Sequence, residues 1–342
     1  MSKKVVITHW VHPEVIDFLG REANVVANLT RSTLAREEIL SRAKDADAIM
    51  AFMPDAVDAS FVKSCPKLKI IAAAVKGYDN FDVEACTRRN IWLTIAPDLL
   101  TIPTAELSIS LMIGLARHVL QGDRHIRSGL FKGWRPELYG KSLSGSVAGI
   151  IGMGNIGRAV AKRLRAFDMD VLYVDEVPLS AEEEGSLGAC RTSLKKLLSE
   201  SDFVLPLLPY TEKTHHLINS EQLRQMKRGA LLINTGRGSV VDESAVATAL
   251  QSDHLGGYAA DVFEMEDWLR PGRPLRISPA LLAMEEKTLF TPHIGSAVAD
   301  IRLQIEMYCA NSILQALSGT TPQGAVNLVM PPALSMEKQN CL

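Results

Sequence analysis

The chain has 342 residues, 47% hydrophobic and 22% charged, with a formal net charge of −2. That length accommodates two domains with substantial cores, and its balanced, scattered charge excludes a nucleic-acid or polybasic membrane surface. The five cysteines are odd in number and lack C-x-x-C, which excludes a disulfide frame or zinc site and suits a reducing cytoplasm. No apolar run approaches membrane-spanning length, and the start MSKKVVITHWVHPE lacks the apolar core of a signal peptide.

In chain order, β-branched apolar runs at residues 5–9, 22–27, 48–52, 69–74 and 92–95 predict strands, with helices around 15–19 and over 36–44. Such alternation predicts a parallel α/β unit. It carries no nucleotide fingerprint and is read as the substrate side. At Pro103 a long helix is predicted to run to about Gly129, with Thr101 or Thr104 as its cap. Residues 131–142 form a loop holding Trp134 and Tyr139. Exposed aromatic loops mark an interface or a site cover, and local packing is the equal alternative.

Residues 147–151 then read as a strand buried on both faces, followed by Gly152, Gly154 and Gly157 in G-x-G-x-x-G and by a helical pattern. Gly152 suits a tight turn, Gly154 a close approach to pyrophosphate, and Gly157 tight helix–strand packing. The helix N-terminus, with Asn155 and Ile156 in its first turn, suits phosphate. A second run, 171–174, ends at Asp175, where a carboxylate accepts from a ribose diol. Asp175 and Glu176 repel a 2′-phosphate, so NAD is expected over NADP unless the fold brings Arg158 or Arg191 across. Further strands are predicted at 203–208, 230–234, 257–262 and 288–291, with a helix over 243–250. A last helix, 298–317, is predicted to return to the first domain. The expected domains are therefore 1–99 with 298–331, then 100–297, with 332–342 as a polar tail.

Lys76, Arg237, Glu266 and His293 all follow predicted strands, at the sheet edge where α/β proteins bind ligands. Arg237 lies between Gly236 and Gly238, and its fork suits an oxyanion; the plain alternative is a surface arginine in a turn. His293, after Pro292, is placed to move a proton near neutral pH, although a lone histidine there is more often a loop residue. A carboxylate partner for it would be Glu264, Glu266 or Asp267, and spacing leaves the three open. Lys76 alone would be solvated.

AVKGYDNFDV, PTAELSISLMIGLAR, GMGNIGRAVA, NTGRGSVVDESAVATAL, GYAADVFEMED and TPHIGS together resemble the D-2-hydroxyacid dehydrogenase family along nearly the whole chain. The resemblance implies two doubly wound parallel-sheet α/β domains, a Rossmann NAD-binding domain plus a flavodoxin-like substrate domain. It also implies a homodimer joined through the arm that contains the long helix. It names Arg237, Glu266 and His293 as the catalytic trio, with Lys76 beside them, and puts Asp261 near the nicotinamide amide. Cofactor contacts are then expected from Lys76, Thr104, Gly152, Gly154, Asn155, Ile156, Gly157, Asp175, Leu207, Pro209, Thr235, Gly236, Arg237, Asp261, His293 and Gly295. Met53, Lys76, Gly77, Leu100, Arg237, His293 and Ser296 are the expected substrate wall. Met53 in AFMPD, Lys76, PDLLTIPTAEL, Trp134 with Tyr139, and GGYAADVFEMEDW through FTPHIGSAV resemble the phosphite-oxidising members. The expected reaction is oxidation of phosphite to phosphate by hydride transfer from phosphorus to NAD. The alternatives are reduction of glyoxylate or hydroxypyruvate, and a non-enzymatic NAD-sensing, corepressor-like protein.

Overall fold

The computed structural model describes residues 2–96 and 98–329, so the tail at 332–342 lies outside the described residues. The chain divides into two units, Met1–Leu100 with Trp268–Pro271 and Val298–Leu342, and Thr101–Asp267 with Gly272–Ala297.

In the first unit the strands are β1 (Lys3–Ile7), β2 (Ala23–Ala27), β3 (Ala48–Ala51), β4 (Ile70–Ala73) and β5 (Trp92–Thr94). They form one parallel sheet in the order β2-β1-β3-β4-β5. Side chains alternate across the pleat. Val5, Ile7, Met50 and Ile70 pack under Ile305, Cys309 and Ile313 of the helix Ala299–Leu317. Val6, Ile49 and Ile71 face Phe61, Val62 and Cys86 on the other side. Burial on both faces explains why these strands read as continuous apolar runs.

In the second unit the strands are β6 (Val147–Ile151), β7 (Asp170–Val174), β8 (Ala189–Arg191), β9 (Phe203–Pro206), β10 (Ala230–Asn234), β11 (Leu255–Ala260) and β12 (Thr288–Phe290). Their order is β12-β11-β10-β9-β6-β7-β8, all parallel. The direction of winding reverses between β6 and β9, and ligands of such sheets bind outside the carboxyl ends at that point. The helix Thr101–Ala116 lays Ile109, Met112 and Leu115 against this sheet, with Ile150, Phe203 and Ile233 in the same core.

Three expectations are corrected. The long helix is two, Thr101–Ala116 and Val119–Arg127, because His118 turns left-handed at φ 52° and interrupts the ladder. Thr101 starts the first helix, and Thr104 lies inside it, buried, so Thr104 is no cap. The strand expected to reach residue 208 stops at Pro206. The short pieces Ala181–Leu187, β8 and Leu194–Glu200 have too little periodicity to stand out, although Ser180 and Glu183 form a capping box that marks the first.

Candidate active site

The glycine-rich turn joins β6 to the helix Asn155–Leu164. Gly152 has φ 100°, and a β-carbon there would lie 2.6 Å from the Leu207 carbonyl oxygen. A β-carbon on Gly157 would collide with the Gly152 carbonyl, so this glycine lets the helix close on the strand. A β-carbon on Gly154 would meet nothing within 4 Å. That open space lies at the helix N-terminus, where the first-turn amides, including those of Asn155 and Ile156, have no intrahelical acceptors. The donor set therefore fits a dinucleotide pyrophosphate. Asp175 Oδ2 accepts from the Met153 amide at 2.6 Å and Oδ1 from the Val177 amide at 2.9 Å. A carboxylate has about four lone-pair sites, so capacity remains for a ribose hydroxyl. The fold does bring Arg191 across, its guanidinium donating to the Asp175 carbonyl at 3.0 Å. Arg158 is tied to Glu183 at 2.6 Å and to the Met153 carbonyl at 3.2 Å.

Three turns at the carboxyl ends of β10, β11 and β12 carry the candidate chemistry. In the first, Thr235 Oγ1 is 2.6 Å from Ser108 Oγ, which ties the turn to the helix beneath. The tight approach of Gly236 to the Pro206 and Leu208 carbonyls brings it over the β9 turn, where Leu207 and Pro209 stand. Arg237 follows, and its Nη1 donates to the Gly236 carbonyl at 3.0 Å. In the second, Glu266 Oε1 accepts from the Phe263 amide at 2.9 Å, and Oε2 lies 2.6 Å from His293 Nδ1. In the third, His293 sits at φ 54°, a left-handed conformation that costs an L residue about 1 kcal/mol. Asp261 holds it there. Its Oδ1 accepts from Thr291 Oγ1 at 2.6 Å and from the Ile294 amide at 2.8 Å, and its Oδ2 from the Gly295 amide at 2.8 Å. Burial raises the Asp261 pKa even against these donors. Both oxygens of Asp261, which the resemblance puts near the nicotinamide amide, accept bonds from the His293 turn. Thr104 closes the group, its hydroxyl 3.4 Å from the Gly295 carbonyl. Ser296 is half-buried one residue further on.

In the first unit, Lys76 and Gly77 follow β4 and are half-buried. Lys76 forms no ion pair among the described residues. Met53 is joined to the same loop, since Asn80 Nδ2 donates to its carbonyl at 3.2 Å. Leu100 is 8% exposed and belongs to the core under the sheet, which leaves it little surface for a pocket wall. Sequence reasoning missed Arg302. From the helix Ala299–Leu317 its Nη1 donates to the Ala74 carbonyl at 3.2 Å, and its guanidinium carbon lies 5.6 Å from the Phe52 ring centroid. Glu306 Oε1 stands 3.9 Å from its Nε, and burial lowers the Arg302 pKa. The available signal was an arginine on the inward, apolar stripe of a helix assigned to this unit.

Residues 109–295 match the family model described as D-isomer specific 2-hydroxyacid dehydrogenase, NAD binding domain. Over 333 residues the chain is 38% identical to a glyoxylate reductase of Pyrococcus horikoshii, covering 96% of each. The chain belongs to the D-2-hydroxyacid dehydrogenase family. A solved protein of Thermus thermophilus superposes with a TM-score of 0.84 at 36% identity, over 95% of this chain and 100% of that one. A D-lactate dehydrogenase of Aquifex aeolicus, solved with NAD and lactic acid, gives 0.80 at 28% identity over 93% and 96%. The second unit thus contains the NAD-binding domain of a D-2-hydroxyacid dehydrogenase, and the glycine-rich turn lies within it. Among the described residues no helix is long and apolar enough to cross a membrane, and no cluster of metal-binding side chains is found.

Proposed function

We propose that this dehydrogenase oxidises phosphite to phosphate with NAD. Bound NAD supplies the hydride acceptor. In this scheme Lys76 and Arg237 bind the substrate oxygens and aim the P–H bond at the nicotinamide. His293, oriented by Glu266, takes the proton from the attacking water, whose oxygen bonds to phosphorus as the hydride leaves. A guanidinium is a poor base, so the proton acceptor is assigned to His293. The observation that carries the reading is Lys76, a half-buried ammonium without a carboxylate partner among the described residues, just past the carboxyl end of β4. A carboxylate substrate is satisfied by one guanidinium fork, whereas a smaller oxyanion of higher charge calls for a second cation. Asp175 and Glu176 favour NAD, and the Arg191 guanidinium held at the Asp175 carbonyl is the group that offsets them toward NADP.

A second reading is reduction of a 2-keto acid such as glyoxylate, with His293 as the acid that protonates the carbonyl oxygen. The relatives weigh for it: the Pyrococcus horikoshii protein is named a glyoxylate reductase. Incubation of the purified protein with NAD and phosphite, followed by NADH absorbance, decides between them. NADH formation that disappears in Lys76→Ala is the expected result. No NADH from phosphite, with NADH consumption on glyoxylate, reverses the order. Tight NAD binding with neither turnover favours the NAD-sensing alternative.

The arm leaves Ile126, Leu130 and Phe131 at least half exposed, and Trp134 and Tyr139 78% and 74% exposed. An apolar run of that kind marks an interface, and we assign it to a second copy of the chain, as a homodimer.

A further inference from the structure

The Arg237 and Glu266 turns leave adjacent strands, β10 and β11, and three buried acids that the proposed chemistry does not use hold them together. A β-carbon on Gly238 would collide with the Phe263 carbonyl carbon and the Glu264 nitrogen, so the two backbones touch here. The Ser239 amide donates to Asp267 Oδ2 at 3.1 Å. Beyond it two glutamates exchange bonds. Glu264 Oε1 accepts from the Glu243 amide at 3.1 Å, and Glu243 Oε1 accepts from the Glu264 amide at 2.8 Å. Glu264 Oε2 lies 2.9 Å from His216 Nε2, and the His216 amide donates back to the Ser239 carbonyl at 2.7 Å.

Glu243, Glu264 and Asp267 are 4%, 7% and 3% exposed. Burying carboxylates is expensive unless donors surround them. Burial raises the Glu243 pKa, and the facing Glu264 charge adds to it. Such an arrangement persists where it fixes a geometry. Of the three acids, Glu264 reaches furthest. Its side chain seats on the first amide of the helix Glu243–Gln251 and on His216, and its backbone begins the single helical turn Glu264–Glu266. Its carboxylate therefore ties the turn that ends at Glu266 to the chain that follows Arg237.

We propose that Glu264 is a positioning residue that sets how the Glu266 carboxylate lies relative to the Arg237 guanidinium. The inference rests on the reading of Arg237, Glu266 and His293 as the working groups. It touches neither substrate nor cofactor in this role and acts through Glu266.

The test is a double-mutant cycle on the full chain with NAD and whichever of phosphite or glyoxylate it turns over. Glu264→Ala is expected to lower kcat by about 30-fold, since a misplacement near 1 Å costs up to about 10²-fold. KM stays within about threefold, because uniform binding is kept. Glu264→Gln keeps an acceptor for the Glu243 amide and restores kcat to within about threefold. Glu264→Ala on top of Glu266→Gln adds less than about twofold, because groups acting as one unit are not additive. Multiplying losses in the double variant overturn the inference, as does a Glu264→Ala loss that only follows the folded fraction measured by circular dichroism. Glu266→Gln running at the parent rate is a different failure, which removes the base assignment and the inference with it.

Discussion

Asp261→Asn changes one atom of a buried side chain and tests what holds His293 in place. The carboxylate is 2% exposed and accepts three bonds, all from the turn that carries His293. An asparagine with its oxygen in the Oδ1 place keeps Thr291 and Ile294 but turns an N–H₂ toward the Gly295 amide. The opposite flip strands two donors instead of one. The better orientation loses one charge-assisted bond, about 1.5–3 kcal/mol, and leaves a buried donor unmet, about 1–3 kcal/mol. A local cost of about 3 kcal/mol exceeds the strain of about 1 kcal/mol stored in a left-handed residue. The turn is therefore expected to relax and carry the imidazole off Glu266, now 2.6 Å away. Steady-state kinetics should show kcat down by about 10²-fold with NAD binding retained, and urea unfolding should show a loss of about 3 kcal/mol. An Asp261→Asn protein within about threefold of the parent kcat would refute the idea that this carboxylate fixes the histidine.

Gly157→Ala forces a β-carbon onto the Gly152 carbonyl, a backbone atom that cannot yield, so it should cost about 1–3 kcal/mol or more in a thermal melt and weaken NAD binding with it. Gly154→Ala meets no protein atom within 4 Å, so its melt should stay near the parent while NAD affinity alone falls, as read by fluorescence titration. Equal melts for the two variants would contradict the separate roles. Burial pushes the Cys86 and Cys309 thiols up to about 12, from 9.0. Since the folded value lies above the unfolded one, their stabilisation is complete below about pH 9 and is lost as pH rises toward 12. Urea midpoints should fall over that window, and less so in Cys86→Ala; an identical fall in that variant would assign the loss to other groups. Exposed Cys190 should react with a thiol reagent under native conditions while Cys86 and Cys309 stay protected, which mass spectrometry would show.

The parallel sheets, the strand–glycine–helix turn and the acid after β7 were legible in the sequence because each rests on short-range chemistry. Residues of one strand share its period, and a glycine's freedom is its own property. The break at His118 was not, since nothing in the apolar pattern of PTAELSISLMIGLARHVLQGDRHIRSG marks a left-handed residue. Nor was the division of labour among three acids within four positions. Glu264 turns to His216 and the Glu243 amide, Asp267 to the Ser239 amide, and Glu266 to His293. Arg302 likewise sits beside Ala74 from 228 positions along the chain. Local propensity and motif spacing determined the elements and the nucleotide turn. Which carboxylate meets the imidazole was decided only when parallel pairing brought the ends of β11 and β12 to one edge, and which arginine reaches the end of β4 only when the helix Ala299–Leu317 packed on the first sheet, because those contacts depend on spatial proximity that sequence spacing does not encode.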